Sequence, residues 1–135
     1  MLWDTNIISE LAKPQPHPDV LCFAEQHHNI TISVITLDEL YFGLTWKPRP
    51  RIRLWLDNFV NNYCDVLPIN QEIARFAGEL RGDFQSQGIT RTQADMLIAA
   101  TAVIHRLPLA TRNVADFSGC GVTICNPFDP VSTSA

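Results

Sequence analysis

The sequence lacks the features that are typical of membrane, secreted and disordered proteins. No apolar run approaches the ~20 residues of a membrane-spanning helix. The chain begins with MLWD, whereas a secretory signal peptide needs a basic start followed by an apolar run. The four cysteines are widely spaced, so we expect free thiols in a reducing cytoplasm rather than disulfides or a zinc site. Charged residues make up only 18% and hydrophobic residues 46%, which excludes a disordered or coiled-coil chain.

Several common catalytic motifs are also absent. The sequence has no P-loop, no Gly-x-Gly-x-x-Gly fingerprint and no Gly-x-Ser-x-Gly elbow, so it does not indicate the chemistries that these motifs serve. No internal repeat or low-complexity segment divides the 135 residues, and this length suits about one domain. We therefore expect a single domain over 1–130 and a loose tail over 131–135.

Short apolar segments alternate with longer segments of helical periodicity. The short segments, several of them β-branched, predict strands at 1–4, 30–35, 65–69, 107–111 and 122–124. The segments between them place apolar residues at helical spacing. Strands that alternate with helices imply crossover connections, so we expect an α/β fold with a central parallel sheet of about four to five short strands and helices on both faces.

Four acidic residues follow the predicted strands closely enough to share one edge of the sheet. Asp4 ends the first strand, and Asp116 lies a few residues beyond the strand at 107–111. Glu39 and Asp95 are predicted in the first turns of helices. In open parallel sheets, ligands bind beyond the carboxyl ends of the strands. Because Mg²⁺ and Mn²⁺ prefer carboxylate and water oxygens, the pattern predicts a cation site suited to phosphodiester hydrolysis.

Each of these acids also has a purely structural interpretation. Glu39 and Asp95 lie three residues after a threonine, as in a capping box, and Asp4 could cap the first helix. Asp116 could be an ordinary loop residue. Taken together, the four acids favour a cation site over these structural roles, because converging carboxylates repel by roughly 3 kcal/mol per pair at about 5 Å and an effective dielectric of about 20. A fold rarely retains that repulsion without a cation.

The net charge of −4 does not decide whether nucleic acid is a partner. Phosphate binding favours positive charge. If four of the 14 acidic residues surround cations, however, 10 remain against 10 basic residues. The basic cluster that contains Arg49 and Arg51 is either a contact with RNA or an acidic partner, or a solvated loop and helix start.

A metal-dependent phosphatase is the weaker enzymatic alternative. The haloacid-dehalogenase phosphatases also carry an aspartate at the end of their first strand. They need a second aspartate two residues later as the acid and base, and Asn6 occupies that position here. The sequence therefore favours a different chemistry for Asp4.

Four segments, taken in order, resemble the signatures of PIN-domain ribonucleases. They are DTNIISE at 4–10, TLDEL at 36–40, ADMLIAATA at 94–102 and ATRNVADF at 110–117. The resemblance is closest to the VapC toxins of bacterial toxin–antitoxin pairs, and NPF at 126–128 is similar to their FitB-like branch. It covers nearly the whole chain. Relatives often carry further residues before the first aspartate, and Gln93 stands where some carry an acid.

The resemblance implies a Mg²⁺- or Mn²⁺-dependent endoribonuclease that cleaves single-stranded or looped RNA with a metal-activated water. The acidic quartet that holds the cations would be Asp4, Glu39, Asp95 and Asp116, with Asp4 and Asp95 as the first candidates for direct ligands. The polar positions around it would be Thr5, Asn6, Thr111 and Asn113. The Thr111 hydroxyl could orient a carboxylate, or the residue could pack by its methyl group.

The resemblance also implies partners. Such toxins are usually homodimers held in a hetero-oligomer by a cognate VapB-type antitoxin, and they contact DNA only through it. The helices over 36–64 could form a groove for an antitoxin helix. Arg112, beside the site, could contact an RNA phosphate or an antitoxin group. The alternative function is a non-catalytic partner in a DNA-bound antitoxin repressor complex. No membrane partner is expected.

Overall fold

The computed structural model describes residues 1–130, which contain a parallel five-stranded sheet in the order β3-β2-β1-β4-β5. The expected α/β class is confirmed, while the tail expected over 131–135 lies outside the described residues. The strands are β1 (Leu2–Trp3), β2 (Ile30–Ser33), β3 (Cys64–Leu67), β4 (Leu109–Ala110) and β5 (Ile124–Cys125).

Helices connect these strands and cover the sheet. They are α1 (Thr5–Leu11), α2 (Pro18–Glu25), α3 (Val34–Trp46), α4 (Pro50–Tyr63), α5 (Gln71–Ser86) and α6 (Gln93–Ile104), and a 3₁₀ turn (Val114–Phe117) follows β4. Between residues 1 and 130, none of the helices is both long and apolar enough to cross a membrane. The four cysteines are free thiols, as expected.

The apolar core is divided between the two faces of the sheet because side chains alternate along a strand. Leu2 belongs to a cluster with Ile98 of α6 and other apolar residues of α5 and α6. The next residue, Trp3, belongs to a second cluster with Leu56 of α4 and apolar residues of α1 and α2. Both strand residues are almost fully buried. Burial on all sides explains why α6 is apolar around most of its circumference.

The strand order creates a crevice beside β1. From β1 the chain adds β2 and β3 on one side, and then returns through α5 and α6 to add β4 and β5 on the other. Ligands in such sheets bind beyond the carboxyl ends of the strands, where the winding reverses. Trp3 of β1 pairs with Ala110 of β4. The next residue of each strand, Asp4 and Thr111, therefore lies at this edge.

Two predicted strands end two residues earlier than the sequence indicated. The strand predicted at 30–35 ends at Ser33, because the Ser33 Oγ accepts a 3.0 Å hydrogen bond from Ile35 N and caps α3. The strand predicted at 65–69 ends at Leu67, before Pro68, which has no N–H to donate to a sheet. The early start of α3 places Glu39 in its second turn, so the prediction of a first-turn position was wrong.

Candidate active site

Asp4 lies at the end of β1 and is also the N-cap residue of α1. It is only 4% exposed. Its Oδ1 accepts a 2.8 Å hydrogen bond from Thr5 N, and its Oδ2 accepts hydrogen bonds from Asn6 Nδ2 at 3.1 Å and Thr111 Oγ1 at 2.8 Å. Donors from α1 and from the end of β4 thus fix the orientation of one buried carboxylate.

The surroundings of Asp4 disfavour its negative charge. Burial raises its pKa to about 6 because desolvation penalises the ionised form. The negative charges of Asp95 and Glu39 raise this pKa further, while the hydrogen bonds from Thr111 and Thr5 act in the opposite direction. None of these effects comes from a basic side chain of the described residues. Within residues 1–130, this buried carboxylate therefore faces two other acids and forms no ion pair with a basic side chain.

Glu39 reaches this region from α3. Its Oε1 accepts a 2.6 Å hydrogen bond from Thr5 Oγ1, which also lies 3.2 Å from Oγ1 of the buried Thr36. The alternative interpretation of Thr36 and Glu39 as a capping box does not hold, because Ser33 caps the helix instead. The Thr36 hydroxyl instead contacts Thr5, at the place where α3 packs against α1. The Thr5 hydroxyl holds the exposed Glu39 side chain beside the start of α1.

Asp95 combines a capping role with a place among the acids. Thr92 is the N-cap of α6, and its Oγ1 accepts a 3.1 Å hydrogen bond from Asp95 N, as the near-capping-box pattern indicated. Burial raises the pKa of the half-buried Asp95 carboxyl, and the charges of Asp116 and Glu39 add to this rise. The Thr92 hydroxyl and the charge of Arg91 oppose it. The backbone N–H of Asp95 therefore serves the cap, while its carboxylate lies beside other acids.

Asp116 lies on the 3₁₀ turn beyond β4 with an exposed side chain. Its charge raises the pKa of Asp95, so the two acids are neighbours. Its backbone carbonyl accepts a hydrogen bond from Arg91 Nη1. It is absent from the lining of the cavity that contains Asp4. Asp116 therefore approaches the other acids from the side of Asp95.

An open cavity of about 380 Å³ brings the other three acids together, and we call it the acidic cavity. Asp4, Glu39 and Asp95 line it, and Lys13 and Arg112 contribute basic groups to the same space. Within residues 1–130, no three His, Cys, Asp or Glu side chains are already gathered as metal ligands. The acids share an open space without forming a closed cage.

The predicted polar residues connect Asp4 to the end of β4. Asn6 Nδ2 donates to Asp4 and lies 3.3 Å from Thr111 Oγ1, while Asn6 Oδ1 accepts a 3.1 Å hydrogen bond from Arg112 N. Asn113 contributes its backbone N–H, which donates to Thr111 Oγ1 at 3.0 Å. Thr111 is fully buried, and its hydroxyl is engaged on all sides. Its place in the structure thus depends on the hydroxyl and not only on the methyl group.

The two basic side chains at the acidic cavity are held by their neighbours. The Arg112 guanidinium carbon lies 4.6 Å from the centre of the Phe128 ring. Lys13 Nζ forms a 2.8 Å ion pair with Glu10 Oε1, and the buried Glu10 also accepts a 2.9 Å hydrogen bond from His17 N. Sequence reasoning named Arg112 but missed Lys13. The i, i+3 spacing of Glu10 and Lys13 in the segment after β1 could have indicated it.

An apolar groove of about 350 Å³ adjoins the acidic cavity. Ser9, Lys13 and Glu39 line both spaces, so the two are continuous. Trp46 is 70% exposed at this groove. Arg49 also lines the groove, and Arg51 is exposed at the start of α4. The apolar groove is formed by α1, α3 and α4, and its apolar members include Ile8, Leu40, Leu44, Trp46, Ile52 and Leu56.

Comparison with known proteins gives consistent matches over nearly the whole chain. The PIN domain model matches residues 1–118. The Sinorhizobium fredii protein named VapC ribonuclease Y4jK is 35% identical over 135 residues, which cover 94% of this chain and 96% of that protein. The toxin FitB of Neisseria gonorrhoeae is 30% identical, with 95% and 98% of the two chains covered.

Solved structures with the same fold come from complexes. A chain of a toxin–antitoxin complex from Klebsiella pneumoniae matches with a TM-score of 0.70 and 30% identity, covering 93% of this chain and 96% of that one. A chain of the DNA-bound VapBC structure from Salmonella typhimurium matches with a TM-score of 0.78 and 26% identity, covering 91% and 94%. The fold is therefore shared along almost the full length of both chains.

Proposed function

This chain belongs to the PIN domain family, and from that membership we propose that it is the endoribonuclease toxin of a toxin–antitoxin pair. The similar Sinorhizobium fredii protein is named a ribonuclease, and the similar Klebsiella pneumoniae structure is a toxin–antitoxin complex. The proposed reaction is Mg²⁺- or Mn²⁺-dependent hydrolysis of RNA phosphodiesters. Residues 1–130 are proposed to act as one domain, with Asp4, Glu39, Asp95 and Asp116 as the catalytic acids.

The observation that carries this proposal is the buried carboxylate of Asp4, which faces Asp95 and Glu39 and forms no ion pair with a basic side chain of residues 1–130. Such an arrangement is unfavourable in the metal-free protein because like charges repel in a partly desolvated site. A fold that only needed to cap α1 would not require two further acids beside the cap. The charge arrangement therefore supports binding of a cation.

The donor set fits a hard divalent cation. Mg²⁺ usually keeps several waters and binds to one or two protein carboxylates, so it does not need three preassembled acids. Asp4 and Asp95 would be these ligands, with Glu39 and Asp116 at their sides. When bound there, the cation would lower the pKa of an attacking water and offset charge on the phosphate.

The contribution of the protein is to orient the acids before the substrate binds. Thr111 and Asn6 fix Oδ2 of Asp4, and Thr5 fixes the Glu39 side chain. These donors lie on the regular elements α1 and β4 or directly after them, so little reorganisation is needed when RNA binds. Hydrogen bonds of this kind to ligating carboxylates also tune their affinity for metal.

The basic side chains at the acidic cavity are suited to hold the RNA phosphate. Arg112 lies on the Phe128 ring and forms no ion pair with the described part of the chain, so its guanidinium can bind phosphate oxygens. Lys13 supplies a second positive charge on the same cavity. Arg49 and Arg51, at the start of α4, would extend this contact to RNA or to an acidic segment of the partner.

The apolar groove is the proposed docking site of the antitoxin. Trp46 is exposed there, and other apolar side chains of the groove are partly buried, as on a surface that receives an amphipathic helix. Because it continues into the acidic cavity, a partner segment in the groove would also obstruct access to the acids. We further propose that the protein forms a homodimer within the toxin–antitoxin assembly and contacts DNA only through the antitoxin; the similar Salmonella typhimurium structure is a DNA-bound VapBC complex.

Cleavage of total cellular RNA by the purified, partner-free protein tests this function. The protein is incubated with Mg²⁺, with Mn²⁺ or with EDTA, beside the Asp4→Asn variant. Asp83→Asn is the matched control, because Asp83 is exposed on α5 outside the acidic cavity. We expect discrete fragments that require metal and are lost in Asp4→Asn but not in Asp83→Asn. Cleavage that persists in EDTA, or in Asp4→Asn, would contradict the proposed mechanism.

The same experiment separates the two alternatives. A non-catalytic partner in a DNA-bound repressor complex, which the VapBC neighbour makes the second candidate, would cleave no RNA under any condition. A phosphatase would release inorganic phosphate from a small phosphomonoester and leave RNA intact. The phosphatase is disfavoured because both ends of the Asn6 amide are engaged, with Asp4 and with Arg112 N, where an acid–base aspartate would be needed.

A further inference from the structure

Arg91 connects the two chain segments that carry Asp95 and Asp116. It precedes the N-cap of α6 and lies four residues before Asp95. Its Nη1 donates to the backbone carbonyl of Asp116, and its Nη2 donates to that of Ser118 at 2.9 Å. One guanidinium therefore spans from the start of α6, which carries Asp95, to the turn that carries Asp116.

The Arg91 guanidinium is itself held in one orientation. Its central carbon lies 4.2 Å from the centre of the Phe84 ring of α5. Nη1 also lies 3.9 Å from the Sγ of the buried Cys120. With one face on an aromatic ring and both Nη atoms on backbone carbonyls, the side chain is positioned to hold the 116–120 segment.

Among residues 1–130, few polar contacts other than those of Arg91 hold Asp116. Within residues 1–130 its carboxylate forms no hydrogen bond, and its backbone N–H donates only to Asn113 O inside the turn, at 3.1 Å. Phe117 and Cys120 are buried, and Val114 packs against the same apolar core, so apolar contacts anchor the turn. Gly119 and Gly121 follow with φ of +80° and +82°, and glycine allows the backbone many other conformations. The contacts of Arg91 with the carbonyls of Asp116 and Ser118 add a polar restraint on the backbone of this segment.

We infer that Arg91 is a positioning residue for the acid pair Asp95 and Asp116, and thereby for the cation-binding side of the site. The inference rests on the function proposed above. Arg91 does not need to touch RNA for this role, because both Nη atoms are engaged with the backbone of the turn. The positive charge of Arg91 also supports this role, because it opposes the electrostatic repulsion between Asp95 and the acids beside it.

The test measures the Mn²⁺ concentration that gives half of the maximal rise in melting temperature, and the concentration that gives half-maximal RNA cleavage. Loss of a group that orients metal ligands typically weakens metal affinity by about 10- to 100-fold. We expect Arg91→Gln and Asp116→Asn each to raise both concentrations by about tenfold, at the lower end of that range. Since both act through one turn, the double variant should be little worse than either single variant. Arg91→Lys should recover part of the affinity, because an ammonium can reach a carbonyl but does not stack on Phe84 in the same way.

Arg75→Gln is the matched control, since Arg75 is exposed on α5 and its side chain forms no hydrogen bond or ion pair with residues 1–130. If Arg91→Gln lowers the metal-free melting temperature but leaves the half-saturating Mn²⁺ concentration unchanged, Arg91 has only a structural role and the inference is overturned. Independent, multiplicative effects of Arg91→Gln and Asp116→Asn would overturn it as well. If Arg91→Gln does not fold, Phe84→Leu, which removes the stacking surface, should shift the Mn²⁺ dependence in the same direction by a smaller factor.

The Asp4→Asn variant separates failure of this inference from failure of the proposed function. A wild-type protein without any Mn²⁺ response overturns both. A wild-type response that is lost in Asp4→Asn but identical in Arg91→Gln overturns the role of Arg91 alone.

Discussion

Thr111 donates a 2.8 Å hydrogen bond to Asp4, although the two residues are 107 positions apart in the sequence. Both are buried, and each directly follows one of the paired strands β1 and β4. The hydroxyl also accepts from Asn113 N, so it lies at the centre of a small buried network. The candidate site is therefore complete only when β4 has paired with β1, and its geometry depends on the sheet rather than on a flexible loop.

Replacing Thr111 with valine tests this network, because the side chain keeps its shape and loses only the hydroxyl. Asp4 Oδ2 loses one of its two donors, and Asn113 N loses its acceptor. A buried polar group left without a partner costs about 1–3 kcal/mol, so we expect the free energy of unfolding to fall by about that amount, together with loss of RNA cleavage. Urea unfolding and the cleavage assay measure the two effects.

Thr111→Ser is expected to retain most of both properties, since it keeps the hydroxyl. Thr123→Val serves as a control at an exposed threonine on the neighbouring segment. A Thr111→Val protein as stable and active as the wild type would show that the residue acts only by packing its methyl group.

Local features of the sequence predict some parts of the site better than others. Asp4 and Thr111 could be placed because short strands and the residues after them are visible as apolar segments. Glu39 was assigned to the wrong turn because Ser33, within a β-branched run, ends the strand by capping α3. Arg91 was missed because it binds backbone carbonyls, which every residue presents and which no sequence pattern distinguishes.

The raised pKa of Asp4 predicts that the metal-free protein becomes less stable as the pH rises. The unfolded chain releases this proton near 3.8, whereas the folded protein retains it to about 6. Between these values the unfolded state binds fewer protons, so the free energy of unfolding falls with pH, by up to about 3 kcal/mol for a shift of this size. Above the folded-state pKa, this contribution stays constant.

Urea unfolding of the wild type and of Asp4→Asn in EDTA, at several pH values between 4 and 7, measures this contribution. Glu10 has a lowered pKa because Lys13 donates to it, and it gives a slope of opposite sign. That slope is common to both proteins and cancels in their difference. Parallel stability curves for the two proteins would contradict the prediction.

Asp95→Asn should separate the capping role of this residue from its role among the acids. Asparagine retains the backbone N–H that donates to Thr92 Oγ1, and it removes one negative charge beside Asp116 and Glu39. We expect the metal-free protein to be no less stable than the wild type, and the Mn²⁺-induced rise in melting temperature to be reduced. Melting curves with and without Mn²⁺ provide both values. A marked loss of metal-free stability would indicate that the carboxylate itself serves the cap.

Gly43→Leu tests the apolar groove as the antitoxin site without altering the acids. Gly43 lies on α3 at the groove, and a Cβ there meets no atom within 4 Å. The leucine side chain can therefore extend into the groove without clashing, and loss of a helical glycine generally favours the helix by about 0.5–1 kcal/mol. We expect a folded protein that still cleaves RNA but no longer co-purifies with an antitoxin encoded by a small neighbouring reading frame. Gly82→Leu on α5, where a Cβ is equally unobstructed, is the control and should retain the antitoxin. Antitoxin binding that survives Gly43→Leu would place the docking surface elsewhere, because a partner helix and the new side chain cannot occupy the same space.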